Sequence, residues 1–153
     1  MNSGGFLGTG SSAYNLDLDG ALTINAGGTL NAPNATGTFT FAGSQITNSG
    51  TFVHNSGTIN FDYAGAAFQI IAGNPIVFNN ILVSGANWGV RSLVSANVTG
   101  NLTTNVGGIW DMASYSGSGQ SLTFIYGTTT TASNIANSGN IRIIAQNGYD
   151  TTI

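Results

Sequence analysis

The sequence predicts an all-β protein, a right-handed parallel β-helix (β-solenoid) of about seven coils with essentially no helix. Three observations predict it: apolar residues alternate at period two in short runs, Asn/Ser/Gly clusters separate the runs, and parts of the chain repeat one another.

The alternation places Leu16/Leu18, Leu22/Ile24, Phe39/Phe41, Ile59/Phe61/Tyr63, Phe68/Ile70, Ile76/Phe78, Ile81/Val83, Leu122/Phe124/Tyr126 and Ile141/Ile143 on one side of their segments, with mostly polar or small residues between. That period assigns inward and outward faces. No segment keeps the i, i+3, i+4 apolar spacing of a helix, and Thr, Asn, Gly and Ser are too dense for a stable one. The motif N-S-G-x-[FI] recurs from Asn2, Asn48, Asn55 and Asn137. Asn and Gly tolerate the left-handed backbone region and Ser bonds its own backbone, so each copy should end a strand and redirect the chain.

Short strands between Gly/Asn turns also suit a β-sandwich, the alternative fold. The longer repeat favours the solenoid. Gly20-Ala21-Leu22-Thr23-Ile24-Asn25-Ala26-Gly27-Gly28 matches Gly100-Asn101-Leu102-Thr103-Thr104-Asn105-Val106-Gly107-Gly108, and Asn55–Ile59 matches Asn137–Ile141. A sandwich has no reason to repeat itself, whereas solenoid coils present the same slots again. The expectation is one segment over 1–153, with units of about 3–83 and 84–153, the second incomplete, and coils of roughly 20 residues.

Composition narrows function. Of 153 residues only 5% are charged: Arg91, Arg142 and five aspartates, with no Lys or Glu. Two distant arginines make no phosphate-binding patch, so nucleic acid and anionic membranes are excluded as partners. With 41% hydrophobic residues the chain has enough apolar surface to fold. No cysteine is present, so neither a disulfide framework nor a thiolate metal site exists. No run reaches the length of a membrane helix, and no signal-peptide pattern opens the chain.

The search for reactive chemistry ends in a non-catalytic reading with no cofactor. Asp17 and Asp19 share one strand face opposite Leu16 and Leu18, where they suit a weak cation or sugar contact, or simply solvent. Asp62 reads as an outward strand residue, and Asp111 and Asp150 as turn or surface residues. His54 lies between two turn motifs without a second His or any Cys to complete a metal or nucleophile site. Trp88 is the aromatic best placed to stack on a sugar ring, while Trp110 stands at the slot of Leu30 and reads as core. Thr36, Thr38 and Thr40 alternate, but the pattern does not recur a coil later as an ice-binding array would require. Three Asn-x-Thr acceptor patterns start at Asn34, Asn97 and Asn101.

Gln69-Ile70-Ile71-Ala72-Gly73, Ile76-Val77-Phe78-Asn79-Asn80-Ile81-Leu82-Val83-Ser84-Gly85 and Val98-Thr99-Gly100-Asn101-Leu102 resemble the β-solenoid repeats of large bacterial surface proteins, the filamentous-haemagglutinin-like and autotransporter-like adhesins. The resemblance implies a secreted or cell-surface parallel β-helix with an adhesive or scaffold role. It carries no catalytic residue to transfer. Neither end reads as a polar cap, which leaves two arrangements: a stalk segment covered by flanking repeats, or a filament subunit stacking end to end on itself. A carbohydrate-binding module touching surface glycans and a polysaccharide-active β-helix are the alternatives; the second needs paired carboxylates that the chain poorly supplies.

Overall fold

Each coil of the chain lays down three short strands. The computed structural model describes residues 1–8, 14–85, 89–104, 109–113, 122–124, 135–137 and 140–144, with side chains described up to residue 104 and at Trp110. The first rung is β1 (Phe6–Gly8), β2 (Leu16–Leu18) and β3 (Leu22–Ile24); the second is β4 (Thr29–Asn31), β5 (Thr38–Phe41) and β6 (Gln45–Asn48). Then come β7 (Thr51–Val53), β8 (Thr58–Phe61) and β9 (Gln69–Gly73), followed by β10 (Ile76–Phe78), β11 (Asn80–Val83) and β12 (Val90–Ser92). The last rungs are β13 (Ala96–Val98), β14 (Leu102–Thr104) and β15 (Ile109–Ala113), then β16 (Leu122–Phe124), β17 (Ile135–Asn137) and β18 (Asn140–Ile144).

Every described pairing is parallel, and the fold is a parallel β-solenoid without helix among the described residues. One face carries six strands in the order β2-β5-β8-β11-β14-β17, a second carries β3-β6-β9-β12-β15-β18, and a third is split into β1-β4-β7 and β10-β13-β16. About four turns separate β1 from β13. The expected count of about seven coils was slightly too high: six rungs are described, and most coils are longer than the assumed 20 residues, since Phe6 pairs with Thr29 and Ile46 with Ile71.

Because register is kept from rung to rung, like stacks on like. Leu16, Phe39, Ile59, Ile81 and Leu102 form one column; Leu18, Phe41, Phe61, Val83 and Thr104 form the next. Leu22, Ile46 and Ile71 stack opposite them. All but Leu16 and Leu18, on the first rung, are buried. Phe41, Phe61, Phe78 and Trp110 meet edge to face at centroid separations of 6.0 to 6.5 Å, the favoured geometry for aromatic quadrupoles. Trp110 is fully buried, as expected, although it stands on Val90 in the second face while Leu30 belongs to the third. The segments that match at the longer offset likewise fall on different faces: Leu22 lies in β3 and Leu102 in β14.

One expected alternation is reversed. In β9 the inward residues are Gln69 and Ile71, not Phe68 and Ile70. Gln69 turns in because two carbonyls inside the corner need a donor: its amide nitrogen donates to Phe41 O at 2.7 Å and Gly43 O at 2.9 Å, and its own carbonyl accepts from Tyr63 N at 3.4 Å. Phe68, left outside, lies under the Arg91 guanidinium at 4.2 Å from its ring centroid.

The corners hold the coils at close spacing. Asn2–Gly5 and Asn25–Gly28 are stacked turns closed by Gly5 N to Asn2 O and Gly28 N to Asn25 O, both 2.8 Å. Gly4 (φ +74°) and Gly27 (φ +78°) take the third position, whose positive φ suits a type II turn and favours glycine. A Cβ on Gly50 would lie 2.4 Å from Gly28 O and 2.5 Å from Asn25 O, so no larger residue fits between these rungs. Asn side chains then tie coil to coil: Asn55 donates to Ala32 O and Asn79 to Ser56 O, each at 2.8 Å.

The split face is a fault in the ladder between β7 and β10. Thr51 N donates to Gly28 O and Val53 O accepts from Ala32 N, so β7 pairs back to β4 through Thr51 and Val53, leaving the Phe52 peptide groups facing β10. In β10, Ile76 N donates forward to Ser95 O, and Ile76 and Phe78 are buried while Val77 is exposed. Inward residues face forward on both strands, Phe52 in β7 and Ile76 and Phe78 in β10, so the phase is kept, but no ladder pairing joins the two strands. Side chains close the fault instead of the ladder, with the Phe52 and Phe78 rings 5.6 Å apart. Amide hydrogen exchange checks this: Phe52 and Val77 should exchange at least about tenfold faster than Ile59 and Ile81, which sit in an unbroken ladder, and equal protection would contradict the fault.

Candidate functional site

The corner between β7 and β8 carries the only histidine of the chain. Residues 54–57 close a four-residue turn by Gly57 N donating to His54 O at 2.9 Å. Asn55 (φ +46°) and Ser56 (φ +59°) are both left-handed, the signs of a type I′ turn, and Ser is a poor residue for that region. The conformation is held from two sides. Ser56 N donates to His54 Nδ1 at 2.9 Å, and the Asn55 side chain is anchored to Ala32 O.

One rung earlier, Asn34 does what His54 does here: its Oδ1 accepts from Thr36 N at 3.3 Å and from Thr36 Oγ1 at 3.1 Å, and Gly37 N donates to Asn34 O. His54 thus replaces an Asx turn, with a ring nitrogen in place of the amide oxygen. The imidazole is half-buried and lines, with Ala32, Phe52, Ile59, Phe78 and Asn79, a crevice at the fault too narrow for a water molecule. Burial lowers its pKa below the usual 6.5. Held neutral and accepting a hydrogen bond, His54 is a turn residue, as its sequence position suggests.

The carboxylates do not converge. Asp17 and Asp19 are both exposed at the first rung; Asp17 shares a column with Thr40, Asn60, Leu82 and Thr103. Asp62, exposed beyond β8, accepts from Ser84 Oγ at 3.2 Å, and the same hydroxyl donates to Asn60 Oδ1 at 2.7 Å. Among the described residues no three of His, Cys, Asp or Glu gather at metal-ligand distances. Trp88 lies outside the described residues, as does Asp150. Tyr14, 66% exposed just ahead of β2, is an open aromatic close in sequence to Asp17 that the sequence reading did not single out.

Threonines face one another across rungs in pairs rather than arrays: Thr38 with Thr58, Thr29 with Thr51 and Thr23 with Thr47. Thr40, by contrast, faces Asn60. Among the described residues the surface is therefore sparsely charged and hydrogen-bonding without a flat threonine lattice. Against known protein families, curated proteins and solved structures, the chain shows no match.

Two outcomes test this corner. Ser56→Gly should stabilise the chain by about 1 kcal/mol, because glycine relieves the left-handed strain, and thermal or denaturant unfolding measures it. The second concerns pH. A folded-state His pKa below the unfolded value means the unfolded chain takes up the proton first, so the His54 contribution is present above about pH 6.5 and lost as pH falls through the lower folded value. Wild type should therefore lose stability between pH 7.5 and about 5, and His54→Asn, which keeps an acceptor for Ser56 N, should flatten that slope; parallel curves would exclude His54 as its source.

Proposed function

We propose that this chain is a non-catalytic structural or adhesive rod of the extracellular or cell-surface space, acting as a stalk segment of a large surface protein or as a subunit that stacks head to tail. One observation carries the reading: the described strands pile in parallel register around continuous apolar columns, and the exterior is almost free of charge. The repeats that resemble bacterial adhesin solenoids agree with it. Adhesion between neutral surfaces rests on hydrogen bonding and apolar contact, which the Thr/Asn columns and exposed aromatics such as Tyr14 supply.

The first rung favours a neighbour. β1, β2 and β3 each pair on one side only, and Phe6 (65% exposed) and Leu7 stand open beside them. A strand edge next to exposed apolar side chains is a template for another coil, from a flanking segment of a longer chain or from a second copy. Electron microscopy of the purified chain separates the two: long fibres identify a stacking subunit, and short monodisperse particles identify a stalk segment. Fibre formation should be suppressed by Phe6→Lys with Leu7→Lys, which places charge on that edge. Turnover of a polysaccharide that is lost in Asp17→Asn would overturn the non-catalytic reading.

A further inference from the structure

Both arginines of the chain fall in one column of the second face. Register partners run Gln45, Ile70, Arg91, Asp111, Arg142 through β6, β9, β12, β15 and β18. Adjacent strands lie about 4.8 Å apart, so charges of alternating sign occupy three successive rungs. The chain has seven charged residues in all. Three of them stand in this column.

The placement coincides with a change in coil length. Up to β15, register partners on the three faces are 20 to 25 residues apart, and short corners leave little freedom in how one rung seats on the last. Beyond it, Leu102 pairs with Ile135 and Trp110 with Ile141, so the connections gain about ten residues. A longer connection no longer dictates register.

Apolar patterning cannot replace it fully. A slip by one residue exchanges inside for outside and is strongly disfavoured. A slip by two preserves the facing, and Asn140-Ile141-Arg142-Ile143-Ile144 offers isoleucines at neighbouring positions to accept it. Charge does distinguish the alternatives: moved by two, Arg142 would stand against Ile109 or Ala113 instead of Asp111.

We propose that Arg91, Asp111 and Arg142 form an alternating-charge key that sets the register of β18 on β15, where the connection is too long to set it. Arg91 is the fixed end of the key, held over the Phe68 ring. In register, Asp111 has a residue of opposite charge on the rung to either side and Arg142 on one.

Hydrogen exchange on the full chain tests this at the amides of Trp110 and Ile141, with Ile59 in β8 as the internal control. Asp111→Asn should speed exchange about fivefold at both sites, the scale of exposed ion pairs, and Asp111→Glu should restore most of the protection. Arg142→Gln combined with Asp111→Asn should be no worse than Asp111→Asn alone, because the pair is already broken. If either variant fails to fold, salt on the wild type gives the same reading: 1 M NaCl should lower protection in β15 and β18 but not in β8. Effects that multiply in the double variant, or an identical salt response in all three strands, would overturn the proposal.

Discussion

Everything in this molecule follows from one interaction, the parallel backbone ladder that binds each rung to the next in register. A strand of three or four residues has too little surface to be stable alone; inside the two six-stranded faces it is paired on both sides and covered from within by its neighbours. The ladder fixes which residues meet, since position n of one coil sits on position n of the last. Columns of one chemical kind are the cheapest solution, and the Phe39–Ile59–Ile81–Leu102 column is the result. Corners must then be thin. Gly50 above Gly28 and Gly57 above Pro33 mark places where any side chain would force the rungs apart.

The exception on the third face shows how the ladder is compensated when it fails. No ladder pairing joins β7 to β10, yet the two other faces run through the same level unbroken. Phe78 points inward at this level, where it meets Phe52, Phe61 and Trp110. Aromatic packing there offsets lost pairing. The strained His54–Gly57 corner lies directly at this level, held by the imidazole acceptor and the Asn55 anchor, so local strain and ladder fault occupy one place in the rod.

Fold class was legible because period-two alternation and Asn/Gly punctuation are local, and most strands obey them. Leu22/Ile24, Phe39/Phe41, Ile76/Phe78 and Ile81/Val83 face inward as the alternation requires. What was not legible is set by partners distant in sequence. Gln69 is buried for the sake of carbonyls at Phe41 and Gly43, and nothing in its own neighbourhood announces them. The N-S-G motif marked corners correctly but not their geometry: Gly4 takes positive φ in the first, Asn55 and Ser56 do so in the third, and no residue does in the one at Asn48. Of the candidate contacts, Asp17 and Asp19 were rightly outward, since their leucine neighbours point in. The Arg91–Asp111–Arg142 column could be seen only once register was known.

Register also explains the scarcity of charge. In a stack where each position repeats about every 4.8 Å, a charged side chain copied into the next coil would face its like, at a cost of about 3 kcal/mol at an effective dielectric near 20 and about 1 kcal/mol in water. A column of carboxylates or ammonium groups therefore works against the ladder that creates it. Asp17 stands in a column otherwise made of Thr40, Asn60, Leu82 and Thr103, and Asp62 meets the Ser84 hydroxyl rather than another acid. Asn, Thr and Ser, in contrast, gain from repetition, because each can donate to one rung and accept from another, as Asn79 does between Ser56 and Thr99. A largely neutral, amide-rich exterior is thus the surface this geometry permits, and the described column that holds more than one charge is one in which the sign alternates.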